Sequence, residues 1–505
     1  MAKDPTSELA SPAAVASQTG FFGHPRGLAT LFFTEFWERF SYYGMRALLI
    51  LFMTASAEAG GLGFSDARAG AVYGLYTAFV YLLALPGGWI ADQLLGQRRA
   101  VFWGGVIIAA GHFSMAVESI QTFYLGLVLI VIGPGLLKPN ISTMVGELYP
   151  GEGAEAGARR DAGFSIFYMG INLGAFVAPL ICGPLGQRVN WHWGFAAAGF
   201  GMVLGLIQYV ATSRHLGQAG LHPNTAANSP ARSQAVRLLL IAAVGIALAV
   251  YLVIGVFGVS IEALAGATGV IIVGLAIFYL VFQLMAGGLD PTEKKRMIVI
   301  FVLFIFSALF WSGFEQAGSS LNLFAERLTD LNIFGREIPA SVLQSVNPIL
   351  IILLAPVFAW LWVALSRRRK EPSAPAKFSM GLVLLGLGFG VMVWASILTN
   401  DQTRQVAPVW LILTYFFHTC GELCLSPVGL STVTKLAPHR KVGQMMGVWF
   451  MSVALGNLIA GMVAGQFQSL PLPQIFGAVF ATTAGAGLIL ALLIKPIRRL
   501  MSGVH

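Results

Sequence analysis

Residues 27–55 read GLATLFFTEFWERFSYYGMRALLILFMTA. At 1.5 Å per residue a helix over this stretch is long enough to cross a hydrocarbon core of about 30 Å, and both ends are apolar. Yet its middle carries Glu35, Glu38, Arg39 and Arg46. At 100° per residue, Glu38 lies about 60° to one side of Glu35 and Arg39 about 40° to the other, while Tyr42 and Arg46 fall within about 20° of it. One helix stripe therefore holds both signs of charge with an aromatic ring between them. Counted from Gly27, Glu35 to Arg39 lie about 12–18 Å along the axis, too deep for snorkelling to a headgroup layer. Ionisable groups at that depth cost a few kcal/mol and mark a pathway or an internal staple.

The surrounding chain settles the solvent. Of 505 residues 56% are hydrophobic and only 10% charged, and the mean hydropathy of +0.76 belongs to a chain that lives in lipid. Its apolar stretches lack the two-residue alternation of barrel strands; 238–257 is apolar on every side, so the spans are helices. We predict an all-α membrane protein of twelve core spans plus an extra pair. The spans are approximately 27–55, 68–95, 99–118, 122–148, 160–186 and 192–213, the pair 235–257 and 266–288, then 296–326, 339–366, 378–399, 406–436, 442–468 and 473–496. This gives a tail at 1–26, a six-helix bundle at 27–214, a linker at 215–234, a two-helix insertion at 235–290, a second six-helix bundle at 291–496 and a tail at 497–505. The polar opening has no signal-peptide core. The linker is marked by His222, Pro223, Asn224, Asn228 and Pro230. The insertion, with little that is polar beyond Glu262, reads as an accessory facing lipid.

The net charge of +9 is a topology signal. Placing alternate loops on alternate sides collects most of the Lys and Arg, from Lys3 to Arg499, on the side of both termini. Only Arg68, Arg188, Arg327, Arg336 and Arg404 fall opposite. Both termini are thus expected to be cytoplasmic, and the distribution argues against nucleic-acid binding. Cys182, Cys420 and Cys424 all lie in apolar segments and read as packing thiols. Glycine pairs such as Gly201 with Gly205 and Gly461 with Gly465 have the spacing of close helix packing.

Further buried charges fall on other spans: Lys138 on core span 4, Glu315 on span 7 and Glu422 on span 10. With the first span these positions correspond under a repeat of six. A transporter made of two related halves places its solute site between them, near the midplane, on equivalent helices. That is more charge than stapling needs. Arg39 and Lys138 set against Glu315 and Glu422 offer cations for a carboxylate and an anion for an amine, as a zwitterion requires. Tyr42, Tyr43, Tyr81, Trp311 and Trp449 are candidate pocket walls, with interfacial anchoring the alternative for Trp449 and Tyr81. Prolines beside polar residues, in Lys138-Pro139, Asn347-Pro348 and Ser426-Pro427, are expected to free a carbonyl and loosen the helix. Carboxylates in this setting also carry protons.

At these residues the sequence resembles the proton-dependent oligopeptide transporters, a branch of the major facilitator superfamily, from Gly27 to Pro496. The run Glu35 to Tyr43 matches ExxERFxYY, with further matches at GPGLLKPN around Lys138, FYMGINLG around Asn172, FWSGFEQ around Glu315 and GELCLSPVGL around Glu422. The segment GGWIADQLLGQRR, Gly87 to Arg99, resembles the superfamily's loop between spans 2 and 3, which makes Asp92 and Arg98 conformational-switch contacts.

The resemblance implies a major facilitator fold of 14 transmembrane helices and a multi-pass protein of the bacterial cytoplasmic membrane. Its activity would be proton-coupled import of di- and tripeptides by alternating access, with no cofactor and as a monomer. Carried over residue by residue, Arg39 and Lys138 would hold the peptide carboxylate and Glu422 the amino terminus. Tyr42, Tyr43, Tyr81, Asn172, Trp311, Asn347, Ser426 and Trp449 would complete the substrate site. Glu35, Glu38, Arg39 and Glu315 would couple protons. Arg46 with Glu315 would gate the periplasmic side, and Lys138 with Glu422 the cytoplasmic one.

Other chemistries find less support. His418, Cys420, Glu422 and Cys424 include every metal-ligand type, but on a helix successive members lie about 200° apart, so no metal site is expected. His112 reads as a packing histidine. An enzyme needs a nucleophile and base or a metal on one face, and a channel needs a filter or a charged ring; neither pattern occurs. Within transport, a relative that moves another small anion or metabolite is the alternative, opposed by the complete Glu35, Glu38, Arg39 motif.

Overall fold

The chain is nearly all helix in a computed structural model that describes residues 19–151, 153–226, 229–333 and 335–502. The expected tail at 1–26 lies outside the described residues up to 18, as do the last three residues of the tail at 497–505 and Asn228 of the linker. In chain order the helices are α1 (Arg26–Thr54), α2 (Asp66–Leu82), α3 (Ala84–Ile90), α4 (Gln97–Met115), α5 (Ile120–Glu147), α6 (Ala154–Pro184), α7 (Trp191–Thr212) and α8 (Pro230–Val250). There follow α9 (Ile261–Ala286), α10 (Pro291–Phe314), α11 (Ser320–Leu328), α12 (Val346–Arg367), α13 (Ala374–Leu398), α14 (Val409–Leu436), α15 (Val442–Ala464) and α16 (Leu472–Leu500). Two short hairpins, β1 (Thr19–Phe21) with β2 (His24–Pro25) and β3 (Asn332–Ile333) with β4 (Arg336–Glu337), lie outside the helices.

α2 with α3 makes one crossing and α10 with α11 another, so the described residues contain the fourteen helical stretches expected. Twelve are apolar and long enough to span a bilayer by length and composition. α1, with its four central ionisable residues, and α4, with Arg98 and Arg99 in its first turn, are not among the twelve.

The chain divides by contact into two compact units: Met1–Met45 with Leu83–Ser260, and Arg46–Leu82 with Ile261–His505. Compactness thus cuts the chain elsewhere than the linear boundaries 27–214, 235–290 and 291–496, which remain a proposal about its repeats. The cut runs through α1 between Met45 and Arg46, and it separates the two inserted helices, α8 going with the first unit and α9 with the second.

In the first unit, α1 lies against α6 and α7 through glycine. A Cβ on Gly170 would come within 2.9 Å of the Phe32 ring, one on Gly174 within 2.3 Å of Phe36 O, and one on Gly44 within 2.5 Å of Cys182 Sγ. α4 and α5 cross where Gly104 and Gly133 face each other's carbonyls, each virtual Cβ 2.8 Å from the partner's oxygen. In the second unit α13 and α14 cross likewise at Gly381 and Gly421, at 2.9 and 2.7 Å. These pairs are spans 3 and 4 and spans 9 and 10, so the same small-residue contact recurs at equivalent places of the proposed repeat.

α9 buries one stripe, Ala265, Thr268, Ile272, Ala276 and Gln283, and Ala265 packs with Ala71 and Ala78 of α2 and Ala454 and Leu458 of α15. α8 buries only Ala235. The linker is fastened to the first unit. Arg98 Nε donates to Ala219 O at 2.7 Å and its Nη2 to Gly217 O, Asn224 N to Asp92 O at 2.7 Å, and Gly220 N to Glu147 Oε2 at 2.7 Å. The expected switch residues Asp92 and Arg98 therefore meet the linker.

Candidate functional site

In the first unit the ExxER pattern does what its spacing implies. Residues 35 and 39 stack one turn apart, and Arg39 Nε lies 3.0 Å from Glu35 Oε1 while its Nη2 pairs with Glu38 Oε2. Exposure is 4% for Glu35, 0% for Glu38 and 5% for Arg39. Two carboxylates thus share one guanidinium out of contact with solvent, where one cation does not neutralise both. Gly174 on α6 lets that helix lie over the cluster, since a Cβ there would stand 3.1 Å from Arg39 Cβ.

The next turn carries the buried Tyr42, whose ring has two cations over it. Arg39 Cζ is 5.3 Å and Lys138 Nζ 5.2 Å from its centroid. The ring face is the negative end of its quadrupole, so it holds both positive groups near one point although they repel each other. Lys138 reaches it from within α5, just ahead of Pro139. Tyr43, half-buried, meets Tyr42 edge-on at 5.2 Å. Asn172 is buried, and its amide donates to Tyr168 O of its own helix at 3.0 Å.

In the second unit Arg46 Nη2 meets Glu315 Oε2 at 2.7 Å, and Arg46 Nε donates to Tyr73 OH at 2.8 Å. Glu315 opens a 3-10 turn, Glu315–Gly318, that interrupts α10 before α11. Gly318 is required there, because a Cβ would fall 2.0 Å from Tyr73 OH and 2.7 Å from Arg46 Nε. Gln344 Nε2 donates to Ala317 O in the same turn and lies 3.4 Å from Tyr415 OH. A second latch joins α2 to α11, with both Asp66 oxygens 2.8 Å from the two Arg327 terminal nitrogens in the parallel fork geometry.

Glu422 on α14 and Asn347 on α12 come together: Asn347 Nδ2 donates to Glu422 Oε2 at 3.3 Å and to Thr419 Oγ1 at 3.0 Å. Pro348 is the third residue of α12, which runs on directly from the 3-10 stretch Ala340–Ser345, so it lies within a continuous helical segment. Pro139 and Pro427 likewise lie inside α5 and α14. Ser426 is half-buried ahead of Pro427.

Trp311 stands edge-on to Phe310 at 5.5 Å and Phe314 at 5.4 Å, and its buried indole N–H has no hydrogen-bond partner among the described residues. Trp449 is 6% exposed and lies on Gly429, where a Cβ would be 2.2 Å from its Cη2; a ring so enclosed is not an interfacial anchor. Tyr81 is half-buried against the apolar cluster of Ala71, Ala78, Ala265, Ala454 and Leu458. His418 is buried against Phe389 at 4.9 Å, and no metal-ligating group is found among the described residues.

Sequence reasoning missed Tyr73, Gln344, Thr419, Gly318 and the Asp66–Arg327 pair. Tyr73 and Thr419 are ordinary residues of apolar helices; Thr419 stands one turn before Glu422, a spacing that could have pointed to it. Arg327 reads as a loop cation, and nothing in its spacing ties it to Asp66, which lies 261 residues away.

The chain matches the model of the POT family over residues 98–478. It is 42% identical over 501 residues to the peptide transporter YePEPT of Yersinia enterocolitica, covering 96% of this chain and 97% of that one. It is 37% identical over 494 residues to a di-/tripeptide transporter of Lactococcus lactis, covering 96% and 98%. A crystal structure of the peptide transporter POT in complex with sulfate superposes with a TM-score of 0.91 at 42% identity, covering 98% of this chain and 100% of that one. This chain therefore belongs to the POT family of membrane transporters.

Proposed function

We propose that the protein is a proton-coupled symporter that imports di- and tripeptides by alternating access. The observation that carries this reading is the set formed by the buried Glu35, Glu38, Arg39 and Tyr42 with the half-buried Lys138. Two carboxylates and two cations balance when the site is empty. A peptide carboxylate arriving at Arg39 and Lys138 adds one negative charge, and a proton taken by a glutamate restores neutrality. Substrate and carboxylates compete for the same cations, so peptide and proton favour each other's binding; this is linkage without a cofactor. Full-length similarity to a di-/tripeptide transporter supports the substrate class.

In this reading Glu422, oriented by Asn347, takes the peptide amino group. Tyr42, Tyr43, Asn172, Trp311, Ser426 and Trp449 supply the rest of the site, and Trp311 brings an unspent donor suited to a peptide carbonyl. Tyr81, set against an apolar cluster, has the weakest structural support of the group. Glu315 joins the proton-coupling set because its partner Arg46 releases it whenever the periplasmic side opens. Lys138 and Glu422 are assigned to gating the cytoplasmic side. The protein works as a monomer in the bacterial cytoplasmic membrane with both termini cytoplasmic, and it carries out no chemical step on its cargo.

The test is uptake of labelled Ala-Ala into proteoliposomes with and without an inward proton gradient. Accumulation above equilibrium should require the gradient and be competed by unlabelled dipeptides. Accumulation that ignores the gradient, or none with any dipeptide or tripeptide, would falsify the reading.

A further inference from the structure

α12 ends in four consecutive cations, Arg367, Arg368, Arg369 and Lys370, and all four are exposed. Among the described residues none of them forms an ion pair. The acid next in sequence, Glu371, is taken: its Oε1 lies 2.7 Å from Nζ of Lys377, which rests 4.6 Å from the Trp362 ring centroid. Three other basic groups at the second unit's polar ends are tied to protein, Arg296 to the carbonyls of Met501 and Ser502, Arg440 to Glu293 and Lys441 to Gly287 O. The chain turns back at Arg369, which holds φ +54°, a left-handed value that favours glycine. A cation occupies the place where the turn would prefer no side chain.

The same helix offers a seat for hydrocarbon. Leu353, Val357, Trp360 and Val363 are all exposed. At 100° per residue they fall with Arg367 within about 120° of arc, so an apolar strip leads to an aromatic ring and then to the cations. Charge balance against the helix C-terminus accounts for one or two of the four, and a topology signal requires no shared face with the apolar strip. We propose that the end of α12 binds an anionic phospholipid, its phosphate among Arg367, Arg368, Arg369 and Lys370 and its acyl chains along Leu353, Val357 and Trp360. Clusters of four or more cations beside a membrane helix attract anionic headgroups in this way.

The experiment is native mass spectrometry of the full chain released from detergent, titrated with dioleoyl-phosphatidylglycerol or dioleoyl-phosphatidylethanolamine. The variant R367Q/R368Q/R369Q/K370Q alters only exposed side chains, and an unchanged unfolding temperature verifies its fold. Phosphatidylglycerol occupancy should fall at least about threefold in that variant, with phosphatidylethanolamine unaffected and K495Q/R498Q/R499Q, at the end of α16, behaving as wild type. Undiminished occupancy would overturn the site. Equal loss in the two variants would reduce it to diffuse surface potential, and displacement by inorganic phosphate would mean a free anion is read instead of a lipid; either result overturns the proposal.

Discussion

Arg46 and Glu315 form a nearly enclosed ion pair at 2.7 Å between α1 and α10, and a double-mutant cycle measures whether it latches the two helices. At an effective dielectric of 20, charges at that separation attract by about 6 kcal/mol before desolvation is counted. Removing one partner and stranding the other costs about 3–5 kcal/mol. Glu315→Gln keeps an acceptor for Arg46, so its cost should lie near the lower end. Arg46→Gln loses the bond to Tyr73 as well, and should cost more. Once either partner is gone the second change has little left to lose, so a coupling of about 2 kcal/mol or more is expected. The assay is reversible unfolding of the purified protein in mixed micelles, followed by tryptophan fluorescence. Tyr73→Phe, expected to cost about 1.5–3 kcal/mol, calibrates the hydrogen bond to a charged donor. A coupling below about 0.5 kcal/mol would refute the reasoning, since an intimate pair out of reach of water cannot be so weak.

Three further outcomes follow from the same geometry. Gly318→Ala should destabilise by about 1–3 kcal/mol, because its methyl meets Tyr73 OH and Arg46 Nε; wild-type stability would show that the turn relaxes freely. Glu422→Gln should weaken uptake of free dipeptides at least tenfold while changing N-acetylated ones little, and equal losses for both would remove the amine contact. The hydrogen bond from Lys377 holds the Glu371 carboxyl below its ordinary value of 4.5. Its contribution is therefore complete above about pH 4.5 and is lost as pH falls through the depressed folded value. Glu371→Gln should cost under about 1 kcal/mol at pH 7, given its exposure, with the gap closing toward pH 3; a gap that widens in acid would contradict the pairing.

Much of the fold was legible because a bilayer demands long apolar helices and leaves their ends marked by charge and turn residues. The stretches expected at 122–148, 192–213 and 473–496 differ from α5, α7 and α16 by only a few residues at either end. The charged stripe of α1 was legible too, since 3.6 residues per turn fixes angles. Which neighbour each level of that stripe meets was not. Tyr42 and Arg46 are one turn apart on one face, yet the first packs with Lys138 and the second with Glu315, in different units. A helix carries its angular pattern locally, whereas the height at which partners change is set by every other helix. For the same reason nothing in 261–286 announced that α9 packs with α2 and α15 while α8 stays exposed: its buried stripe is small and apolar like its lipid-facing side. Tyr81 was read as a pocket wall from its residue type, and the apolar side chains that seat it lie partly on its own helix and partly on two other stretches of chain, α9 and α15.

The central claim is that Glu38 carries the proton that couples the gradient to the peptide. In proteoliposomes, Glu38→Gln should abolish accumulation of labelled Ala-Ala driven by an inward proton gradient while preserving counterflow exchange against unlabelled peptide. Uphill accumulation at the wild-type level in that variant would contradict the account.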